Sequence, residues 1–158
     1  MREELVEFLQ DKYVFFDFDG TLCEYRYNGH VFGDEGCGGQ TLEELTFENV
    51  YSDVRPLKTM LKYIRRLDAE QVYVLGAIVT SFESLQKYIW LNKNFSPIKR
   101  ENVYFVADSS LKVKTLLLFA DRNDIRKRDI VLVDDKHSTL VEAEKAGFVA
   151  LHTSSFMD

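Results

Sequence analysis

Proline, glycine and cysteine are all scarce in this chain. Two prolines and eight glycines among 158 residues leave little material for linkers, and there is no repeat or low-complexity stretch. A single domain spanning residues 1–158 is therefore expected. Only Cys23 and Cys37 occur, without Cys-x-x-Cys spacing, so a disulfide framework and a cysteine zinc site have no support. That usage fits a reducing, cytoplasmic setting. Cys23 reads as a buried packing residue, with a reactive thiol as the alternative. The stretch from Met1 to Gln10 is too charged for a signal peptide or a membrane span and reads as a short amphipathic helix. Positive charge is not in excess either. A net charge of −6 argues against a broad nucleic-acid or anionic-membrane footprint. The longest basic cluster, Arg126-Lys127-Arg128, reads as a solvated loop.

Hydrophobic residues make up 46% of the chain, enough for a full core. The most informative segment is Tyr13-Val14-Phe15-Phe16-Asp17-Phe18-Asp19-Gly20-Thr21-Leu22, an apolar run that ends in Asp-x-Asp-Gly-Thr. Such a run bounded by glycine reads as a buried strand of a parallel sheet. The two-residue period of an extended chain sends Asp17 and Asp19 to the same side of the strand end. Two carboxylates beside a glycine turn suit a divalent cation and a phosphoryl group. A calcium EF-hand is excluded. It needs another ligand before its glycine and a Glu at loop position 12, where this chain has Asn28.

Strand-like and helix-like segments alternate downstream. A polar, glycine-bearing insert runs from about Glu24 to Asp53, in which Thr41 and Glu44 form a possible capping box for a short helix. Pro56 fits the first turn of a helix from Leu57 to about Leu67. A second strand starts at Gln71 and ends at Leu75 or continues to Val79. A helix from Ser84 to Asn92, a strand Val103–Val106 and a helix Leu111–Ala120 follow. The strand Asp129–Val133 runs into Asp134-Asp135, then come a helix Thr139–Lys145 stopping at Gly147 and a last strand Phe148–Leu151. The pattern predicts a three-layer, Rossmann-like α/β fold with an open parallel sheet. Ligands of such sheets bind at the carboxyl ends of the strands, where Asp17 and Asp134 both fall. Clustered carboxylates repel unless a cation neutralises them, and Mg²⁺, a hard ion that takes oxygen ligands, is the natural candidate.

Asp17-Phe18-Asp19-Gly20-Thr21 resembles motif I of the haloacid dehalogenase-like (HAD) superfamily, and Ile130-Val131-Leu132-Val133-Asp134-Asp135 resembles its motif IV. The resemblance spans about Tyr13 to Leu151. It implies a HAD-like core in which Asp17 attacks phosphorus and Asp19 acts as acid and then base. Mg²⁺ would be held by Asp17, the backbone carbonyl of Asp19, and Asp134, with Asp135 as outer ligand. Within that resemblance, an acid at position 19 implies a phosphatase or phosphomutase, not a dehalogenase, and hydrolysis of a phosphate monoester through an aspartyl-phosphate is the favoured outcome. The insert is too short for a full cap and would be at most a lid, so the phosphorylated substrate can be a small molecule or a macromolecule.

Two further family elements have several candidates. The hydroxyl expected at the end of strand two is Thr80 if the strand is long, whereas a short strand puts Gly76 there; Thr80 is equally suited to an N-cap. The phosphate-balancing lysine is Lys114, Lys87 or Lys112, with Lys114 favoured. Lys87-Tyr88-Ile89-Trp90 is similar to a pattern in the deoxyribonucleotidase branch, which makes a 5′-nucleotidase-like hydrolase one alternative. A non-catalytic phosphate- or metal-binding module is another. His30, His137 and His152 read as surface or packing residues, with His137 closest in sequence to the site. Tyr25, Tyr27 and Phe32 could cover the crevice or join the core.

Overall fold

The computed structural model describes residues 1–24, 42, 46 and 49–157. Its centre is β1 (Tyr13–Phe16), flanked on one side by β2 (Val72–Ala77) and β3 (Val103–Val106) and on the other by β4 (Ile130–Asp134) and β5 (Val149–His152). The five strands form a parallel sheet in the order β3-β2-β1-β4-β5. The chain moves outward from β1 to β3 and then returns to the far side of β1. This places the topological switch point between β1 and β4, where open α/β sheets form their ligand crevice.

Among the described residues the helices around the sheet are α1 (Glu3–Gln10), α2 (Lys58–Ile64), α3 (Ser81–Asn94), α4 (Lys112–Asn123) and α5 (His137–Lys145). Alternation along the strands sorts their side chains onto two faces. Val14, Phe16, Val72, Val74, Val131 and Val133 meet Val6, Leu9, Met60, Ile64, Trp90 and Leu91 of α1, α2 and α3. Phe15, Tyr73, Leu75, Ile130 and Leu132 face α4 and α5, which supply Val113, Leu116, Phe119 and Ala143. This second face is largely aromatic: Phe15 stacks on Tyr73 at 4.6 Å and takes the edge of Phe119 at 4.9 Å. The result is the expected three-layer α/β architecture with a parallel sheet.

Several boundaries differ from the sequence reading for local reasons. Strand β2 ends at Ala77, between the two expected ends. Ile78 still donates to the Val106 carbonyl at 2.8 Å, and Thr80 then caps α3 by accepting from the Glu83 N–H at 3.0 Å. That cap starts α3 at Ser81, a turn earlier than expected. Pro56 lies outside α2, bridged to Cys23, and the helix begins after Leu57. Most of the Glu24–Asp53 insert lies outside the described residues. So do the Thr41/Glu44 capping box, Tyr25, Tyr27, His30, Phe32 and Cys37.

Candidate active site

Asp17 follows β1 directly, and its N–H donates to the Val133 carbonyl of β4 at 2.8 Å. Asp17 therefore keeps the alternation of the strand and takes the side of Phe15, towards α4. Asp134 keeps the alternation of Leu132 and takes the same side. Lys112, the first residue of α4, reaches both: its Nζ is 2.6 Å from Asp17 Oδ1 and 2.8 Å from Asp134 Oδ2. One carboxylate oxygen each from Asp17, Asp134 and Asp135 lie within 4.8 Å of one another. The other Asp134 oxygen accepts from the Lys136 N–H at 2.8 Å, which fixes the orientation of the side chain.

Removal from water dominates the electrostatics. Burial pushes the Asp17 carboxyl up to about 7; Lys112 pulls the other way, and Asp134 and Asp19 add to the rise. Burial and the neighbouring Asp134 also raise Asp135. Burial by itself lowers Lys112, but the two carboxylates outweigh it and hold the ammonium above its ordinary value. Three carboxylates and one ammonium sum to −2 when ionised, which is the charge a divalent cation balances.

Asp19 belongs to a different group. The strand has ended and the chain turns through Gly20, whose φ of 77° is open to glycine at no steric cost. The Asp19 carboxylate accordingly faces α3, not α4, which corrects the expectation that Asp17 and Asp19 project to one side. Its Oδ2 accepts from Lys87 Nζ at 2.9 Å and its Oδ1 from the Tyr51 hydroxyl at 3.0 Å. Lys87 Nζ also meets the Ala77 carbonyl at 2.9 Å and Glu83 Oε1 at 3.1 Å. Burial alone lowers the Lys87 ammonium; Asp19 and Glu83 outweigh that and hold it above its ordinary value.

No family model and no curated protein matches the sequence. Solved structures match in shape. A HAD family hydrolase from Deinococcus radiodurans R1, with bound phosphate and sodium, superposes with a TM-score of 0.56 at 12% identity, covering 90% of this chain and 80% of that one. A HAD family enzyme from Bacteroides thetaiotaomicron, in its magnesium complex, gives 0.54 at 14% identity over 90% and 93% of the two chains. The same enzyme with magnesium and inorganic phosphate gives 0.52 at 13% identity over 89% and 93%. The fold is HAD-like.

On this HAD-like core the candidate residues fall as follows. Lys114 is exposed, and the buried lysine between Asp17 and Asp134 is Lys112. The preference for Lys114 is corrected by helix geometry: at about 100° per residue, position 114 lies about 200° around α4 from position 112. Thr80 does not end a strand; its hydroxyl serves as the α3 cap. Gly76 lies in β2 in tight surroundings, where a Cβ would sit 3.2 Å from Phe18 Cβ and 3.4 Å from the Phe105 ring, so Phe18 would have to shift slightly to admit it. His137 is exposed at the start of α5, whereas the His152 ring lies 3.2 Å from the Asp135 carbonyl oxygen. Cys23 is fully buried, 3.9 Å from Asp19 Oδ1. Sequence reasoning did not single out Tyr51 or Glu83. The i,i+4 spacing of Glu83 and Lys87 on a helix was the available signal for the second. Nothing local marked Tyr51. Among the described residues no helix is long and apolar enough to cross a membrane.

Proposed function

We propose that this chain is a Mg²⁺-dependent phosphatase that hydrolyses a phosphate monoester through an aspartyl-phosphate on Asp17. The observation that carries the reading is the cluster of buried Asp17 and Asp134, both bonded to one lysine, with half-buried Asp135 beside them at the switch point of the sheet. The donor set fits Mg²⁺, being all oxygen with an excess charge of −2 and an Asp17 that burial leaves poorly stabilised as an anion. Asp17 and Asp134 would hold the ion through their carboxylates, with the Asp19 carbonyl joining them and Asp135 as outer ligand. When bound, the ion would offset the charge of phosphate and carboxylates. The magnesium and phosphate of the HAD-like Bacteroides enzyme add support.

The chain's own residues then have distinct tasks. An Asp17 oxygen attacks phosphorus as the ester P–O bond breaks, and Asp19 delivers a proton to the departing oxygen. Asp19 next takes a proton from the water that attacks the same phosphorus, which frees phosphate and restores Asp17. Lys112 spends two N–H donors on Asp17 and Asp134, leaving one for a phosphoryl oxygen. Lys87 has three donors and three acceptors, which argues against it as a phosphate ligand. Trp90 of the same pattern is buried and donates to the Val54 carbonyl at 2.9 Å, a packing role that adds no support to the nucleotidase alternative.

Phosphate release from a panel of phosphate esters, with and without Mg²⁺, tests the proposal on wild type and Asp17→Asn. Mg²⁺-dependent turnover that vanishes in Asp17→Asn is expected. Mg²⁺ binding without turnover on any ester would favour the non-catalytic module.

A further inference from the structure

Glu83 is a carboxylate on a helix, 5% exposed, and the phosphatase chemistry leaves it without a task. Burying a charge is costly unless it is paired and fully hydrogen-bonded. Here it is both. Glu83 Oε2 accepts from the Val79 N–H at 2.6 Å, and Oε1 lies 3.1 Å from Lys87 Nζ. The Tyr51 hydroxyl lies 3.0 Å from Asp19 Oδ1 and 3.4 Å from Glu83 Oε1, with Asp19 the nearer acceptor. Lys87 Nζ also lies over the Phe18 and Tyr51 rings, at 4.9 and 5.3 Å from their centroids. Glu83 thus fixes Lys87 from behind, while Lys87 and Tyr51 each hold one oxygen of Asp19.

We infer that Tyr51, Lys87 and Glu83 are positioning residues that lock the Asp19 side chain in one rotamer. The inference rests on the phosphatase reading, in which Asp19 moves the proton. The three side chains come from different places: Tyr51 from the segment before α2, Glu83 and Lys87 from successive turns of α3. Buried polar groups with every partner supplied hold a unique arrangement, and a proton donor misplaced by an ångström loses much of its effect. None of the three needs to touch substrate.

The test is kcat/KM for two esters in Mg²⁺, p-nitrophenyl phosphate and glycerol 2-phosphate, on wild type, Tyr51→Phe and Glu83→Gln. The nitrophenolate leaves without help, whereas the glycerol alkoxide needs a proton. A misplaced Asp19 therefore lowers kcat/KM for glycerol 2-phosphate by about 10- to 100-fold and for p-nitrophenyl phosphate by about twofold or less. Equal losses on both esters, or no loss on either, would overturn the inference. Tyr51→Phe removes one oxygen and keeps the ring, so it separates positioning from folding if Glu83→Gln is unstable. A second readout needs no turnover: the χ1 couplings of Asp19 by NMR in the Mg²⁺-free protein. One rotamer in wild type and averaging in Tyr51→Phe support the lock, and identical couplings sink it. If wild type hydrolyses neither ester, the couplings alone decide the lock, and the wider ester panel decides the phosphatase reading separately.

Discussion

Asp17 and Asp19 stand two residues apart, yet different lysines claim their carboxylates: Lys112 lies 2.6 Å from Asp17 and Lys87 2.9 Å from Asp19. The two lysines approach from opposite faces of the sheet, α4 and α3. The nucleophile candidate and the proton-transfer candidate therefore have separate electrostatic surroundings although they share one short turn.

The lysines can be told apart by mutation. Lys112→Met leaves Asp17 and Asp134 buried without their cation, which costs about 3 kcal/mol in Mg²⁺-free protein. Turnover should fall by about 100-fold or more, since a buried charge beside the phosphoryl group is lost. Lys114→Ala is expected to leave kcat/KM within about twofold of wild type and to change stability by less than about 0.5 kcal/mol, as exposed positions generally do. Comparable losses in the two variants would contradict the assignment.

Asp17 gives a pH signature without metal. Its folded-state value of about 7 lies above the unfolded value of about 3.9. Between those two pH values the folded chain keeps a proton that the unfolded chain has released. Stability should fall as pH rises from about 4 to about 7 and then level off. Asp17→Asn removes the Asp17 part of this slope, leaving the smaller part from the raised Asp135, and should melt higher than wild type at pH 8 without Mg²⁺. Thermal melts at pH 5 and pH 8 would check it, and an unchanged slope would count against the burial argument.

Added Mg²⁺ should reverse that penalty. A ligand that binds only the folded state raises Tm by mass action. Because the ion prefers an ionised Asp17, the rise is expected to be larger at pH 8 than at pH 6. Melts across a Mg²⁺ series at the two pH values provide the measurement; a larger shift at pH 6 would oppose the metal assignment.

Thr80 and Gly76 separate cap from catalysis. Thr80→Ala should cost about 1 kcal/mol through the lost α3 cap, with kcat/KM little changed. A drop of 100-fold or more in kcat/KM would restore the Thr80 hydroxyl as a phosphate donor. Gly76→Ala should lower Tm by about 2–4 °C, since its Cβ would press on Phe18 at a cost of about 1 kcal/mol.

Much of this protein follows from its sequence alone. Apolar runs of strand length, alternating with helical patterns, dictate a parallel sheet, because each strand must bury both faces beneath helices. Asp17 and Asp134 end such runs, so their place at the carboxyl edge was legible before any coordinates. The rest depended on rotation and register. Whether position 112 or 114 faces Asp17 turns on about 200° of helix rotation, which the packing of Val113, Leu116 and Phe119 against Phe15 and Tyr73 decides. The divergence of Asp19 from Asp17 depends on where β1 stops pairing. Tyr51 reaches Asp19 across 32 residues of chain, a contact that no local pattern encodes. Local physics sets periods and strand ends; only long-range packing selects which side chains meet.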